Sequence, residues 1–289
     1  MTEPSAPPYT PIVRTVAELR ARVAGWRAAG ERVALVPTMG ALHAGHLSLV
    51  EMGRARAQRV VASVFVNPTQ FAPSEDFDAY PRDEARDARL LASVDCDLMY
   101  APSAAQMYPP GFSTAIEVAG VSAPLEGASR PHHFGGVATV VAKLLIQAGP
   151  DITIFGEKDY QQLLVIKRLA LDLDLPVQIL GAPIARAADG LALSSRNAYL
   201  SETERPIAGQ LNVVLRRACD ALINGDRVDH AEAAANTALL RAGFDRVDYF
   251  DVRGAQDLHR QGPGPIDGPS RVLVAAQLGR TRLIDNMAV

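Results

Sequence analysis

The sequence predicts an α/β fold: a Rossmann-like, doubly wound parallel sheet followed by a smaller C-terminal α+β lid domain. Three observations carry this expectation. Short runs of Val, Ile and Leu alternate with helix-spaced apolar stripes through the first two thirds of the chain, as in a parallel sheet covered on both faces. Near Ala185 the pattern changes to a polar loop, two helical stretches and then strands alone. The chain has 289 residues, 48% apolar and 21% charged, enough for one large or two ordinary domains with a full core. We expect residues 1–184 to form the Rossmann-like domain and residues 185–289 the lid.

The elements follow in order. "MTEPSAPPYTP" carries four prolines and no apolar segment, so residues 1–11 read as a disordered tail rather than a signal peptide. A strand at 33–36 ends at Pro37, and a helix follows near 46–57. Strands at 60–66 and 97–100 flank a helix near 83–93. The clearest helix spans 136–148, where Val137, Val140, Val141, Leu144, Leu145 and Ala148 make one buried stripe. A strand at 152–155, a helix over 160–172 and a strand at 177–180 complete the alternation. Beyond the boundary, Ser201 with Glu204 reads as a capping box opening a helix to about 222, and Asp229 with Glu232 as a second one opening a helix to about 241. Strands at 247–252, 271–276 and 281–285 then form a small antiparallel unit. A Gly/Pro-rich loop, "QGPGPIDGPS", separates the first two and has no role legible in the sequence.

Bulk properties exclude several classes. Lys plus Arg number 29 against 32 Asp plus Glu, a formal charge of −3, so nothing announces nucleic acid or an acidic membrane surface. The two cysteines, Cys96 and Cys219, make neither a metal motif nor a disulfide framework. No run reaches the ~18 apolar residues of a membrane span. These features read as a cytoplasmic protein.

Five stretches have the residue types of a site. In "TMGALHAGH" two glycines and two histidines sit between a strand and a helix start. A helix N-terminus offers unpaired N–H groups to phosphate, Gly40 and Gly45 allow close backbone approach, and His43 and His46, three apart, fall on one face. Ordinary loop histidines and a zinc site are the competing readings, the latter lacking third and fourth ligands. "FGEKDYQQL" also follows a strand. There Gly156 opens a turn, Lys158 offers a point charge for phosphate, Asp159 would bind a ribose or orient Lys158, and Gln162 both donates and accepts. "LALSSRN" places two hydroxyls and a guanidinium together, as a mobile phosphate clamp or as a capping loop. In "VFVNPTQF", Asn67 and Gln70 suit a small hydroxy acid, or Asn67 fixes a turn with Pro68. "RPHHFGGV" contributes Arg130 and His133, as positive charge or as structural pairings. Four of the five lie on strand-end loops of one sheet or on the adjoining linker. That convergence points to a nucleoside triphosphate and a small polar substrate.

Long motifs in one order then carry a resemblance: "PTMGALHAGHLSLV", "SVFVNPTQF", "YPR", "HHFGGV", "FGEKDYQQL", "ADGLALSSRN" and "TRLIDN". From about Arg32 to Ala288 the sequence resembles the pantothenate synthetase family. These are AMP-forming pantoate–β-alanine ligases of the His-x-Gly-His nucleotidyltransferase superfamily, whose signature here is His43, Gly45 and His46. The resemblance implies ATP-dependent condensation of (R)-pantoate with β-alanine through a pantoyl adenylate, releasing diphosphate and then AMP. It implies an ATP site of Met39, Gly40, Ala41, Leu42, His43, Ala44, Gly45 and His46, with Gly156, Glu157, Lys158 and Asp159, and with Ala185, Leu193, Ser194, Ser195 and Arg196. His46, His43, Lys158, Ser194, Ser195 and Arg196 would be catalytic, with His46 the proton donor. Gln70, Gln162 and Met39 would hold pantoate; Gln70 and Asn67 would meet β-alanine. A homodimer and a coenzyme A pathway role are implied as well. The chain departs from the family at Leu193 (usually Met), Ala185 (usually Val) and Ala187 (usually Glu). In "DEARD", Asp87 matches a family acid and is the one candidate for a protein-bound metal, while Arg86 takes a place that is acidic in some relatives. Mg²⁺ is expected to arrive with ATP. A plain adenylyltransferase and a nucleotide-binding protein without turnover are the alternative functions.

Overall fold

The computed structural model describes residues 8–71, 77 and 80–289. Residues 1–7 of the expected tail lie outside them, but the chain is anchored by Thr10, which is buried and donates its N–H to Ala88 O at 3.1 Å. Strand β1 (Ile12–Val13) and helix α1 (Val16–Ala28) were absent from the expected elements. The signal for α1 is in the sequence all the same. Glu18 N–H donates to Thr15 Oγ1 at 3.2 Å and Thr15 N–H donates back to the Glu18 carboxylate at 2.9 Å, a reciprocal capping box.

The other strands of the main sheet are β2 (Val33–Thr38), β3 (Arg59–Val64), β4 (Leu98–Tyr100), β5 (Ile152–Gly156) and β6 (Gln178–Ala182). All pair in parallel, in the order β1-β4-β3-β2-β5-β6. The predicted doubly wound sheet is therefore present, and its order reverses between β2 and β5, where such sheets bind ligands. One boundary differs from expectation: β2 runs through Pro37 to Thr38. Beyond Leu35 only β3 pairs with it, so the N–H that proline lacks breaks no ladder toward β5.

Helices α2 (Ala44–Arg54), α3 (Glu84–Ala92), α6 (His133–Ala148) and α7 (Tyr160–Asp172) stand where periodicity puts them, with short helices α4 (Ala104–Met107) and α5 (Glu126–Ser129) before α6. Ala34 and Val36 of β2 share one apolar cluster with Leu49 and Val50 of α2 and Ala88 and Leu91 of α3. The expected α6 stripe is buried along its whole length, and Tyr100 Oη of β4 donates to Gln147 Oε1 of α6 at 3.0 Å. Each large apolar side chain so buried contributes roughly 1.5–3 kcal/mol.

By its contacts the chain divides into two compact units. One holds the chain to Glu157 together with Val165–Ala182; the other joins Lys158–Leu164 to Pro183–Val289. The C-terminal unit thus joins the stretch from Pro183 onward to a second segment, cut from the middle of a sequence motif. That unit packs α8 (Glu204–Ile223) and α9 (Val228–Ala242) with the antiparallel sheet β7 (Arg246–Gly254), β8 (Ser270–Leu278) and β9 (Thr281–Ala288). Leu211, Leu215, Leu239, Val252, Val272 and Val274 centre its core.

The capping box at Ser201 and Glu204 forms, with Ser201 N–H donating to Glu204 at 2.8 Å and Glu204 N–H donating to Ser201 Oγ at 3.2 Å. The one expected at Asp229 and Glu232 does not. Arg227 occupies the N-cap without a side-chain bond to the helix's N–H groups, and the Glu232 carboxylate instead accepts Val252 N–H at 2.8 Å and pairs with Arg260. A buried carboxylate takes its partners from the neighbouring sheet, which local spacing does not report. The Gly/Pro-rich loop is closed by Gln261, whose side chain bonds both N–H and C=O of Asp267 at 3.0 and 3.1 Å.

Candidate active site

The loop leaving β2 turns through two left-handed residues, Gly40 (φ 83°) and Ala41 (φ 51°). The second is unusual for a residue with a Cβ, so something must hold it. Asp87 of α3, 1% exposed, does: Ala41 N–H donates to its Oδ2 at 3.0 Å and Leu42 N–H to its Oδ1 at 2.9 Å. Arg86 Nη1 donates to Leu42 O at 3.1 Å from the same helix. Burial pushes the Asp87 carboxyl above its usual range, and the two N–H bonds pull the other way. Both oxygens thus accept N–H groups of the loop backbone. Among the described residues no group of three or more His, Cys, Asp or Glu is placed to hold a metal. Asp87→Asn keeps the shape but sets an amide N–H₂ against one of the two N–H groups. Urea unfolding is expected to show a loss of about 1–3 kcal/mol; an unchanged midpoint would mean that the loop stands without this anchor.

The histidines open α2. His43 is its N-cap in extended conformation, and its Nδ1 accepts Gly45 N–H at 3.1 Å. His46 Nδ1 faces His43 N–H at 3.4 Å, and the two ring centroids are 4.1 Å apart. An Nδ1 that accepts an N–H carries no proton, so each neutral ring keeps its proton on Nε2. The capping geometry therefore favours the Nε2–H tautomer of each neutral ring.

Asn67 and Gln70 end β3 on a 3₁₀ turn, Pro68–Gln70. Asn67 is buried and heavily bonded. Its Oδ1 accepts Thr69 N–H (3.3 Å), Thr69 Oγ1 (3.0 Å) and Tyr108 Oη (2.8 Å), while its Nδ2 donates to Gly136 O (3.2 Å) and Gln70 Oε1 (3.1 Å). Gln70 Nε2 reaches Met39 Sδ at 3.0 Å. Met39 and Gln70 are thus brought together, and Asn67 orients Gln70. Gly136 allows this: a Cβ there would lie 2.4 Å from Thr69 O. Tyr108 is absent from the sequence-based candidates, since it lies 41 residues from Asn67 with no motif around it. His133 Nδ1 meets Gln70 O at 2.9 Å and Arg130 pairs with Glu126 at 2.8 Å, so both make the structural pairings weighed as alternatives.

Gly156 ends β5 with open space where a Cβ would be, and Glu157 begins a 3₁₀ turn to Asp159. Lys158, Asp159 and Gln162 belong to the C-terminal unit. Lys158 Nζ lies 3.8 Å from Asp159 Oδ1, an ion pair too long for a hydrogen bond. In the same unit, residues 185–193 form a hairpin in which Leu193 N–H donates to Ala185 O at 2.9 Å and Arg186 bridges to Ala192. Ser194 Oγ accepts Arg196 N–H at 3.3 Å and caps the 3₁₀ helix Ser195–Tyr199. The serine-arginine loop thus makes the cap of this turn.

A parallel sheet reversing its order at β2, with a paired-histidine helix start beside the reversal, defines a Rossmann-like α/β protein of the nucleotide-handling kind. Comparison narrows this class. Residues 11–288 match the family model described as pantoate–β-alanine ligase. A Caulobacter vibrioides protein, pantothenate synthetase, is 63% identical over 96% of this chain and 98% of its own. The crystal structure of pantothenate synthetase from Thermus thermophilus has a TM-score of 0.90 at 46% identity, covering 96% of this chain and 99% of that one. That of the Francisella tularensis pantoate–β-alanine ligase, complexed with "Beta-gamma ATP" and β-alanine, has a TM-score of 0.81 at 32% identity, covering 96% and 97%. The chain belongs to the pantoate–β-alanine ligase family.

Proposed function

We propose that the chain catalyses the ATP-dependent condensation of (R)-pantoate with β-alanine to pantothenate, AMP and diphosphate. In the first step a pantoate carboxylate oxygen bonds the α-phosphorus of ATP and the bond to the β-phosphate bridge breaks, releasing diphosphate. In the second, the β-alanine nitrogen bonds the activated carbonyl carbon, the bond to AMP breaks and the amine proton is lost. Such chemistry rests on positioning and on stabilising charge as it develops.

The observation that carries this reading is the histidine pair, two rings with centroids 4.1 Å apart at a helix start beside the sheet's switch point, in a chain matching the ligase family over 11–288. On this reading Met39, Gly40, Ala41, Leu42, His43, Ala44, Gly45 and His46 take ATP, with His43 and His46 donating to phosphate oxygens. Gly156, Glu157, Lys158 and Asp159 serve phosphate and ribose. Ala185, Leu193, Ser194, Ser195 and Arg196 complete the nucleotide contacts. Met39, Gln70 and Gln162 hold pantoate. Gln70 meets β-alanine, with Asn67 acting there through Gln70. Mg²⁺ comes with ATP, held by phosphates and water. A homodimer, a cytoplasmic location and a closing motion of the C-terminal unit belong to the same proposal.

The test is purified protein with ATP, Mg²⁺, pantoate and β-alanine, omitting each in turn. Diphosphate is expected from ATP and pantoate alone, and AMP with pantothenate only when β-alanine is added. A stable adenylated product in the full mixture would make the chain an adenylyltransferase. Nucleotide binding without any diphosphate would make it a binding protein.

A further inference from the structure

The motif "TRLIDN" ends the chain's likeness to its family, yet none of its residues enters the reaction described above. In the C-terminal unit it forms β9, and two adjacent residues of that strand reach two separate parts of the proposed site. The Asp285 side chain, 0% exposed, takes Arg186 in a bidentate pair, Nη1 to Oδ2 at 2.7 Å and Nη2 to Oδ1 at 2.9 Å. Arg186 Nη1 also donates to Gly190 O at 2.9 Å and Nη2 to Asn286 O at 3.3 Å. One guanidinium thereby ties the 185–193 hairpin to β9. The buried Asn286 donates from Nδ2 to Lys158 O at 2.9 Å. Tyr160 Oη, two residues on, donates to Ala255 O at 2.7 Å in the same unit.

The Asn286 bond is made to the main chain of a phosphate-directed residue, and the Arg186 bonds hold the hairpin that precedes another such segment. The hairpin leads directly into Ser194, Ser195 and Arg196, and the Lys158 carbonyl sits on the residue that carries the ammonium. A lysine has a long flexible stem, so its reach is set by where its Cα is held. Pairing the Arg186 fork with a buried carboxylate fixes the hairpin in orientation as well as position.

We propose that Asn286 is a positioning residue for the ligase reaction. It fixes Lys158 through the main chain, on the strand that also anchors the serine-arginine loop through Asp285 and Arg186. The two phosphate-directed segments, far apart in sequence, then share one reference. This inference rests on the proposed role of Lys158.

The test is a double-mutant cycle on the full chain. Asn286→Ala is expected to lower kcat/KM for ATP by about 10- to 100-fold, since small misplacements of a catalytic group cost that much. Asn286→Leu, which keeps the volume but also removes the donor, should do the same while retaining the fold by circular dichroism. In a Lys158→Ala background neither substitution should change the residual rate more than about twofold, because what Asn286 positions is gone. Losses that multiply in the double mutant, or folded single variants with unchanged kcat/KM, would overturn the proposal. A Lys158→Ala protein with full activity would overturn the role of Lys158 itself and would be recognised in the single mutant.

Discussion

His46→Ala is expected to lower kcat by about 10²–10³-fold, the usual cost of removing one donor aimed at charge developing in a transition state. The fold should survive. The ring's bond to His43 N–H is long, at 3.4 Å, while α2 is held by buried Leu49 and Val50. Losing a cap contact costs about 1 kcal/mol of stability; a 10²–10³ rate loss corresponds to about 2.7–4 kcal/mol of barrier. The two effects therefore separate. Steady-state diphosphate release with ATP and pantoate measures the first, and thermal unfolding the second. His43→Ala should lose a similar factor in rate but more stability, because His43 is the N-cap and its Nδ1 bond to Gly45 is the shorter one. A well-folded His46→Ala enzyme working at full rate would remove this histidine from the chemistry.

Lys158→Ala is expected to cost as much in rate or more, with almost no effect on stability. The side chain is 20% exposed, and the Asp159 carboxylate that faces it is 3.8 Å away and 49% exposed. Ion pairs of that kind contribute about 0–1 kcal/mol. Opposite a phosphate the same ammonium would act in a drier setting, where charge counts for more. Lys158→Arg should recover only part of the loss, since a guanidinium is planar and longer than the point charge it replaces. The comparison of kcat/KM for ATP with the unfolding midpoint decides the matter. Parallel losses in both would point to a structural lysine.

Much of the fold is legible in the sequence because its signals are local. The α6 stripe, the apolar strands and the Ser201–Glu204 box are readable within a dozen residues. The Thr15–Glu18 box is just as local, so α1, absent from the expected elements, lacked no signal. Asp229 and Glu232 have the same spacing without forming a box, because Glu232 is drawn to Val252 and Arg260, elements that lie far along the chain. Asp87 shows the same limit from the other side. The family resemblance makes it the candidate for a metal, whereas the partners the structure shows are the N–H groups of Ala41 and Leu42, more than forty residues earlier.

By itself the sequence determined the doubly wound sheet, the later α+β unit, the candidate residues and their order along the chain. These follow from periodicity and residue chemistry, which act over one or two turns. Only the tertiary structure decided what holds Ala41 in a left-handed turn, that Tyr108 and Asn67 orient Gln70, and that Lys158 is tied to the last strand. Those outcomes depend on buried polar groups finding partners across long loops. Burial makes an unpaired group costly and so enforces the pairing, but nothing near either partner in the sequence says which one it will be.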